Sequence, residues 1–205
     1  MLSIDPEKQP AHQVYKLMSG LIVPRPIALV STVDAAGIAN VAPFSFFCGV
    51  GATPPKLLFC PVLRAGAQVH PAKDTLRNVE ETGEFVVNVV SEALTDATNL
   101  AAAEVPPEVD EFALAGLTPL TSEVVRAPRV AESPAQMECK VLQVIYTGKN
   151  AGAGVIVLGE IVRFHVREAL FTDFCVDAEG LAAVGRMAGN TWVSTRDRFE
   201  VTRPR

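Results

Sequence analysis

The sequence predicts a mainly β protein built around an antiparallel barrel, and three observations carry that expectation. Apolar runs and alternations of strand length recur along the chain. Short turn sequences join most of them. The helical stretches come as insertions rather than alternating regularly with the strands, as a parallel sheet would require.

Taken in order, AHQVYKLMS (11–19) reads as a short helix followed by Gly20. PRPIALVSTV (24–33) reads as a strand whose β-branched run starts just after Pro26, where a proline is tolerated. DAAG (34–37) supplies a turn, and IANVAPFSFFCGV (38–50) resumes as a strand with Pro43 inside it. Proline cannot donate to a ladder, so this segment is an edge, a bulge or a loop. TPP (53–55) breaks it, and KLLFCPV (56–62) is the next strand.

KDTLRNVEETG (73–83) reads as a helix with Asp74 as N-cap, Leu76 and Val79 on one face and Gly83 at its stop. EFVVNVV (84–90) is a strand, and SEALTDATNLAAA (91–103) a second helix capped by Ser91. A short helical piece around 108–115 ends at Gly116. AQMECKVLQVIYTG (135–148) sets Met137, Cys139 and Val141 against Gln136, Glu138 and Lys140, and changes phase near Leu142 as a bulge would make it do. AGAG (151–154) is a hairpin turn. VIVLGEIVRFHVREAL (155–170) is a long strand with Val162, Phe164 and Val166 opposite Arg163, His165 and Arg167. No repeat, low-complexity tract or boundary interrupts residues 1–205, which read as one domain.

Composition narrows the function. The 205 residues are 49% hydrophobic and 20% charged, enough for one well-buried core. A formal net charge of −5 argues against a general nucleic-acid binder. No apolar run reaches membrane-spanning length, and MLSIDPEKQPAHQ has early acids and no apolar centre, so it is not a secretory signal. A cytoplasmic location is the expectation. Cys48, Cys60, Cys139 and Cys175 form no C-x-x-C pair, and three lie in apolar, strand-like surroundings, which favours buried reduced thiols. His12, His70 and His165 are far apart, and no metal-ligand spacing occurs.

Several chemistries lack their motif: there is no G-x-G-x-x-G after a strand, no P-loop and no G-x-S-x-G elbow. Asp110 and Glu111 lie in a polar, proline-flanked stretch and read as a solvated helix start rather than a catalytic pair. Two stretches carry more. HPAKDT (70–75) places a cation, a capping acid and a hydroxyl at a helix start. Either this is routine capping, or Lys73, Thr75 and the unpaired N–H groups hold an anion such as phosphate. In NVAPFSFF (40–47) a proline frees backbone groups that need partners. The edge of a planar heterocycle would supply them, with Phe44, Phe46 and Phe47 as apolar walls, or else as core.

Together, VPRPIALVSTVDAAGIANVAPFSFFCGVGATPP, KDTLRNVEETGEFVVNVVSE, VDEFALAGLTP, APRVAESPAQMECKV, VLGEIVRFHV and GRMAGNTW, in that order, resemble the flavin reductase-like family of FMN-binding split barrels. Flavoredoxin-type and monooxygenase reductase-component proteins belong to it. The resemblance covers about residues 14 to 200 and implies a six-stranded antiparallel Greek-key split β-barrel with flanking helices, working as a homodimer. It implies FMN near the dimer interface, with Asn40, Val41, Ala42, Pro43, Phe44, Ser45 and Phe46 against the isoalloxazine, largely through backbone groups. Lys73, Asp74 and Thr75 would lie by the phosphate, and Arg25 and Arg186 would approach the cofactor. Family members often carry a glycine pair and a tyrosine where this chain reads Gly189-Asn190-Thr191-Trp192. Trp192 then either replaces the tyrosine as a stacking surface or packs at an interface.

The implied activity is hydride transfer from NADH or NADPH to FMN, with electrons passed to a partner monooxygenase or another electron-acceptor protein. The flavin carries that chemistry, so no catalytic side chain is named. Two rivals remain: an electron carrier that holds FMN tightly without nicotinamide turnover, and a binding protein that uses the barrel for another ligand or none.

Overall fold

The computed structural model describes residues 1–63, 74–103, 105 and 109–204. After a 3-10 turn at Pro6–Lys8, the first expected helix forms as α1, Ala11–Leu21. PRPIALVSTV divides in two. β1, Arg25–Pro26, leaves the main sheet, and β2, Ala28–Val33, enters it. IANVAPFSFFCGV also divides, into β3, Ala39–Phe44, and β4, Phe47–Ala52, and β5 follows at Pro55–Phe59.

α2 spans Asp74–Thr82, with Leu76 and Val79 fully buried. Gly83, at φ +68°, closes it by donating its N–H to Val79 O at 3.0 Å. Asp74 is itself helical and pairs with Arg77 at 3.0 Å, so it is part of the first described turn rather than its cap. β6 is Glu84–Val89. The stretch 91–103 is not one capped helix. It is a 3-10 turn, Glu92–Leu94, followed by α3, Thr95–Leu100, and the Ser91 side chain makes no cap bond. Ser91 is instead held extended, in a bridge to Ala183. α4, Glu111–Ala115, is capped by the Asp110 carboxylate, which accepts from the N–H groups of Phe112 and Ala113, and Gly116 ends it at φ +65°.

β7, Pro119–Leu120, pairs with β8, Arg129–Val130. β9, Ala135–Tyr146, and β10, Val155–Val166, form the long hairpin. Its register skips Leu142, which is the expected bulge, and skips again at Val162. The strand expected to reach 170 stops at Val166. The Arg167 N–H turns to Pro134 O at 3.0 Å, and Glu168–Leu170 is a 3-10 turn. β11, Phe171–Thr172, and β12, Cys175–Val176, form a small hairpin. α5, Ala178–Leu181, β13, Val184–Arg186, and β14, Trp192–Ser194, complete the chain.

The main sheet runs β3-β2-β6-β9-β10-β5-β4, with every pair antiparallel. Its two edge strands, β3 and β4, are consecutive in the chain and separated only by Ser45 and Phe46. Two residues span at most about 10 Å between strand ends, so the opposite edges must meet at that corner and the sheet curls into a split barrel. The main sheet has seven strands where six were expected because one expected strand bends there.

β2 is buried at all six positions, since both faces are covered. Ala28 and Val30 point into the barrel with Phe44, Phe59, Phe85 and Val87, where Phe59 lies 5.0 Å from Phe44 and 5.1 Å from Phe85. Gly159 gives Phe85 its space, because a Cβ there would meet the ring at 2.5 Å. Leu29 points the other way, into a second core with Ile27, Val41, Phe112, Val130 and Val184. Among the cysteines only Cys139 is buried, and burial beside Glu138 pushes its thiol up. Cys48 and Cys175 are exposed and Cys60 is half-buried, because β4 is an outer edge and β12 belongs to a projecting hairpin. No described helix is long and apolar enough to cross a membrane.

One buried acid fastens the segment that crosses the outer face of the sheet. The fully buried Glu138 carboxylate accepts from the N–H groups of Glu123, Val124 and Val125 at 2.8, 2.6 and 3.0 Å, and from His165 Nε2 at 2.6 Å. Burial raises its pKa, but these four donors outweigh burial and hold it below the usual carboxylate range. Glu138→Gln is expected to lower stability by about 2–4 kcal/mol at pH 7, measured by urea unfolding. Because the folded-state pKa is depressed, that margin is complete above the unfolded value of about 4.3 and disappears as pH falls through the folded value. A margin independent of pH would overturn the assignment.

Candidate functional site

The corner between β3 and β4 is also where polar groups collect. The Val41 N–H points away from β2 and donates to Glu111 Oε2 at 3.1 Å. Strand alternation puts Pro43 in the same outward set, so its missing N–H costs no ladder bond. That resolves the alternatives for this segment in favour of an edge.

At the far end of β3 the buried Asn40 ties three elements together. Its Oδ1 accepts from Thr32 Oγ1 at 3.2 Å and from Thr75 Oγ1 at 2.9 Å, and its Nδ2 donates to Glu111. Asn78 Nδ2 extends the chain to Thr32 Oγ1 at 3.1 Å. Glu111, expected in solvent, therefore binds α4 to the edge of β3. The recess beside this network has a volume of about 20 Å³ and is lined by Asp34, Asp74 and Glu111 with Arg77. It has room for one water-sized group, and among its described lining residues the carboxylates outnumber the cations. The Thr75 hydroxyl faces Asn40, and Lys73 lies outside the described residues.

At the near end of β3 a larger pocket, about 250 Å³, is lined by Pro43, Ser45, Thr98, Asn99, Arg186 and Trp192, with Tyr15 and Ile27 as walls. Thr98 is fully buried, and its hydroxyl has no hydrogen-bond partner among the described residues. Arg186 and Trp192 are cross-strand partners in the β13–β14 ladder. The guanidinium lies 5.1 Å from the indole centroid and donates to Gly189 O at 2.7 Å. These contacts hold the indole and the cation against each other at the pocket wall.

Arg25 is buried and does not line this pocket. Its Nη1 donates to Ser19 O at 2.6 Å and to Ile22 O at 2.9 Å, its Nη2 to Met187 O at 2.9 Å, and its Nε to Ser45 Oγ at 3.3 Å. It holds Ser45 rather than presenting a charge. Phe46 stacks edge-on to Tyr15, 6.3 Å away, and lines an apolar groove of about 700 Å³ beneath α1 with Val14, Met18 and Ile156. Phe44 is core, Val41 belongs to the second core, and Ala42 packs against the first.

The structure thus brings Pro43, Ser45, Arg186 and Trp192 to one pocket, and Asn40, Asp74 and Thr75 to the other end of the same strand. Sequence reading missed Thr98, Asn99 and Glu111. A threonine and an asparagine in the otherwise small and apolar run after Asp96 were the available signal for the first two. Among the described residues no cluster of three or more His, Cys, Asp or Glu is placed to hold a metal ion. The larger pocket offers a flat ring, a cation and a strand edge. That set suits a planar ligand with polar groups on its rim.

Comparison with known proteins gives this geometry its setting. Residues 18–181 match the flavin reductase like domain. Nitrilotriacetate monooxygenase component B from Bacillus cereus is 40% identical, with a TM-score of 0.91 over 98% of each chain. The 2-nitrobenzoate 2-nitroreductase NbaA of Pseudomonas fluorescens is 30% identical, with a TM-score of 0.88 over 99% of this chain and 96% of its own. A Shewanella frigidimarina protein with a split barrel domain shares the fold at 21% identity, with a TM-score of 0.83 over the whole of both chains. The barrel closed at Ser45–Phe46, the pocket at its split and the matched residues agree, and the chain belongs to the flavin reductase like family.

Proposed function

We propose that this chain is an FMN-binding oxidoreductase, an NADH- or NADPH-driven flavin reductase that passes electrons to a partner monooxygenase or other acceptor protein. In this reading residues 1–205 form one flavin-binding domain, which works as a cytoplasmic homodimer. The observation that carries the proposal is the pocket at the barrel split, lined by Arg186, Trp192, the β3 edge and Thr98, whose buried hydroxyl has no hydrogen-bond partner among the described residues. A buried hydroxyl left unpaired costs roughly 1–3 kcal/mol, and a ligand polar group at the rim of a flavin ring would remove that cost.

When bound, FMN supplies the two-electron chemistry. The chain's own residues bind and orient. Pro43, Ser45 and Thr98 define the rim, and Trp192 offers a face against which a ring can lie. Arg186 supplies positive charge on the same wall, and Arg25 keeps Ser45 in place. From Ser45 to Asn40, β3 runs about 16 Å at roughly 3.3 Å per residue. The strand therefore leads from the ring pocket to the start of α2, where Lys73 and Asp74 would meet the phosphate. The Thr75 hydroxyl, engaged by Asn40, would support that end indirectly. Component B of a monooxygenase among the similar structures supports a partner monooxygenase. Exposed Met18, Ile22, Leu142, Ile145 and Tyr146 give a second copy apolar surface to cover.

Adding FMN to the purified chain is expected to give a flavin absorbance band and to quench Trp192 fluorescence, and anaerobic NADH or NADPH to bleach the band. A band that persists with both nucleotides would make the protein an electron carrier, and no bound flavin would overturn the reading. Lys73→Ala is expected to weaken FMN binding by about one to a few kcal/mol, as loss of a charge-assisted contact does. An unchanged affinity in fluorescence titration would remove the phosphate from that helix start.

A further inference from the structure

Three buried side-chain polar atoms among the described residues have no hydrogen-bond partner: Asn78 Oδ1, Thr98 Oγ1 and Arg129 Nε. Each belongs to a residue that lines a recess. The first recess holds one water-sized group and the second is the flavin pocket proposed above. The third lies elsewhere, at the end of the β9–β10 hairpin, and has a volume of about 390 Å³.

Its position follows from the sheet register. Pro43 pairs with Leu29, Leu29 with Asn88, Asn88 with Gln136, and Gln136 with His165. These five residues form one row on one face of the sheet. The row begins at the flavin pocket with Pro43 and ends at this recess with Gln136 and His165. Four strand-to-strand steps put about 19 Å of curved sheet between the two.

The two permanent charges in the recess, Arg129 and Arg167, are of one sign. Arg129, His165 and Arg167 line it together. Arg129 donates from Nη2 to Thr121 O at 2.8 Å, and Arg167 from Nη2 to Glu132 O at 2.8 Å. Among the described residues neither guanidinium has an ion-pair partner, whereas the neighbouring Arg163 has Glu123 at 3.6 Å. The nearby acids are committed elsewhere. Glu132 accepts from the Thr118 N–H at 3.1 Å, and Glu138 is shared by three backbone N–H groups and His165. Two unpaired guanidiniums around one recess repel each other unless an anion joins them, and they stand out in a chain of net charge −5.

We propose that Arg129, His165 and Arg167 form a binding site for a phosphate monoester or a similarly compact oxyanion. The guanidiniums provide the forked donors, and His165, held by Glu138, fixes the third side. This assignment stands apart from the flavin reading. The anion has two sources of the same chemistry, free phosphate and the phosphate of a nucleotide. Phe164, 56% exposed on the same rim, offers a base a surface to stack on.

The test is NMR of the histidine ring resonances, with FMN in excess so that phosphate does not report on the cofactor pocket. His165 is identified by its loss in His165→Gln, one of only three histidines in the chain. Inorganic phosphate and adenosine 2′,5′-bisphosphate are titrated separately. Either is expected to move the His165 resonances saturably, with affinity falling about tenfold or more in Arg167→Gln and in Arg129→Gln. Arg167 is exposed, so its variant keeps the test valid should Arg129→Gln fail to fold. A bisphosphate that binds about tenfold tighter than phosphate identifies a nucleotide as the source, and equal affinities identify the free ion. No movement of His165 up to about 20 mM of either probe, or unchanged affinity in Arg167→Gln, overturns the site.

Discussion

The buried guanidinium of Arg25 is the contact on which the rest of the site depends. Removing a guanidinium from water is costly unless its donors are satisfied, and Arg25 meets that demand with four oxygens from three separate segments. Two belong to the end of α1, one to the residue after β13, and one to Ser45 at the corner between β3 and β4. A planar fork that reaches several acceptors at once is something lysine does not offer. The place where the barrel splits, the helix beside it and the strand that carries Arg186 are thereby fixed relative to one another.

That corner also explains why the pocket lies where it does. A sheet that closes on itself through two residues leaves its edges facing each other without pairing along their whole length. An unpaired edge is a liability, since its N–H and C=O groups seek partners. This chain covers one part of the β3 edge with α4 through Glu111, places proline in another, and lines the remainder with Thr98, Arg186 and Trp192. The opening is what remains of an edge that the fold does not pair.

The polar interior follows a related logic. Asn88, Gln136 and Glu138 fasten the segment around residues 122–133 to the outer face of the sheet through its backbone. Burying such groups is tolerable because nearly all of them are satisfied. The few that are not, among the described residues, belong to side chains that line recesses.

The sequence by itself determined the strand-rich class, the helix stops at Gly83 and Gly116, the break in ladder pairing at Pro43 and the bulge at Leu142. Each depends on local backbone chemistry: a missing N–H, a positive φ, a change of alternation. The ordered motifs also carried the family. Only the tertiary structure decided that one apparent strand bends at Ser45–Phe46 to close the barrel, that Phe44 is core while Phe46 faces a groove, and that Arg25 is buried while Arg186 lines the pocket. Glu111, read as solvated, reaches β3, and Thr98 is a buried hydroxyl. These outcomes depend on which distant segments cover which face, and residues some 70 positions apart, such as Val41 and Glu111, leave no local pattern from which their meeting can be read.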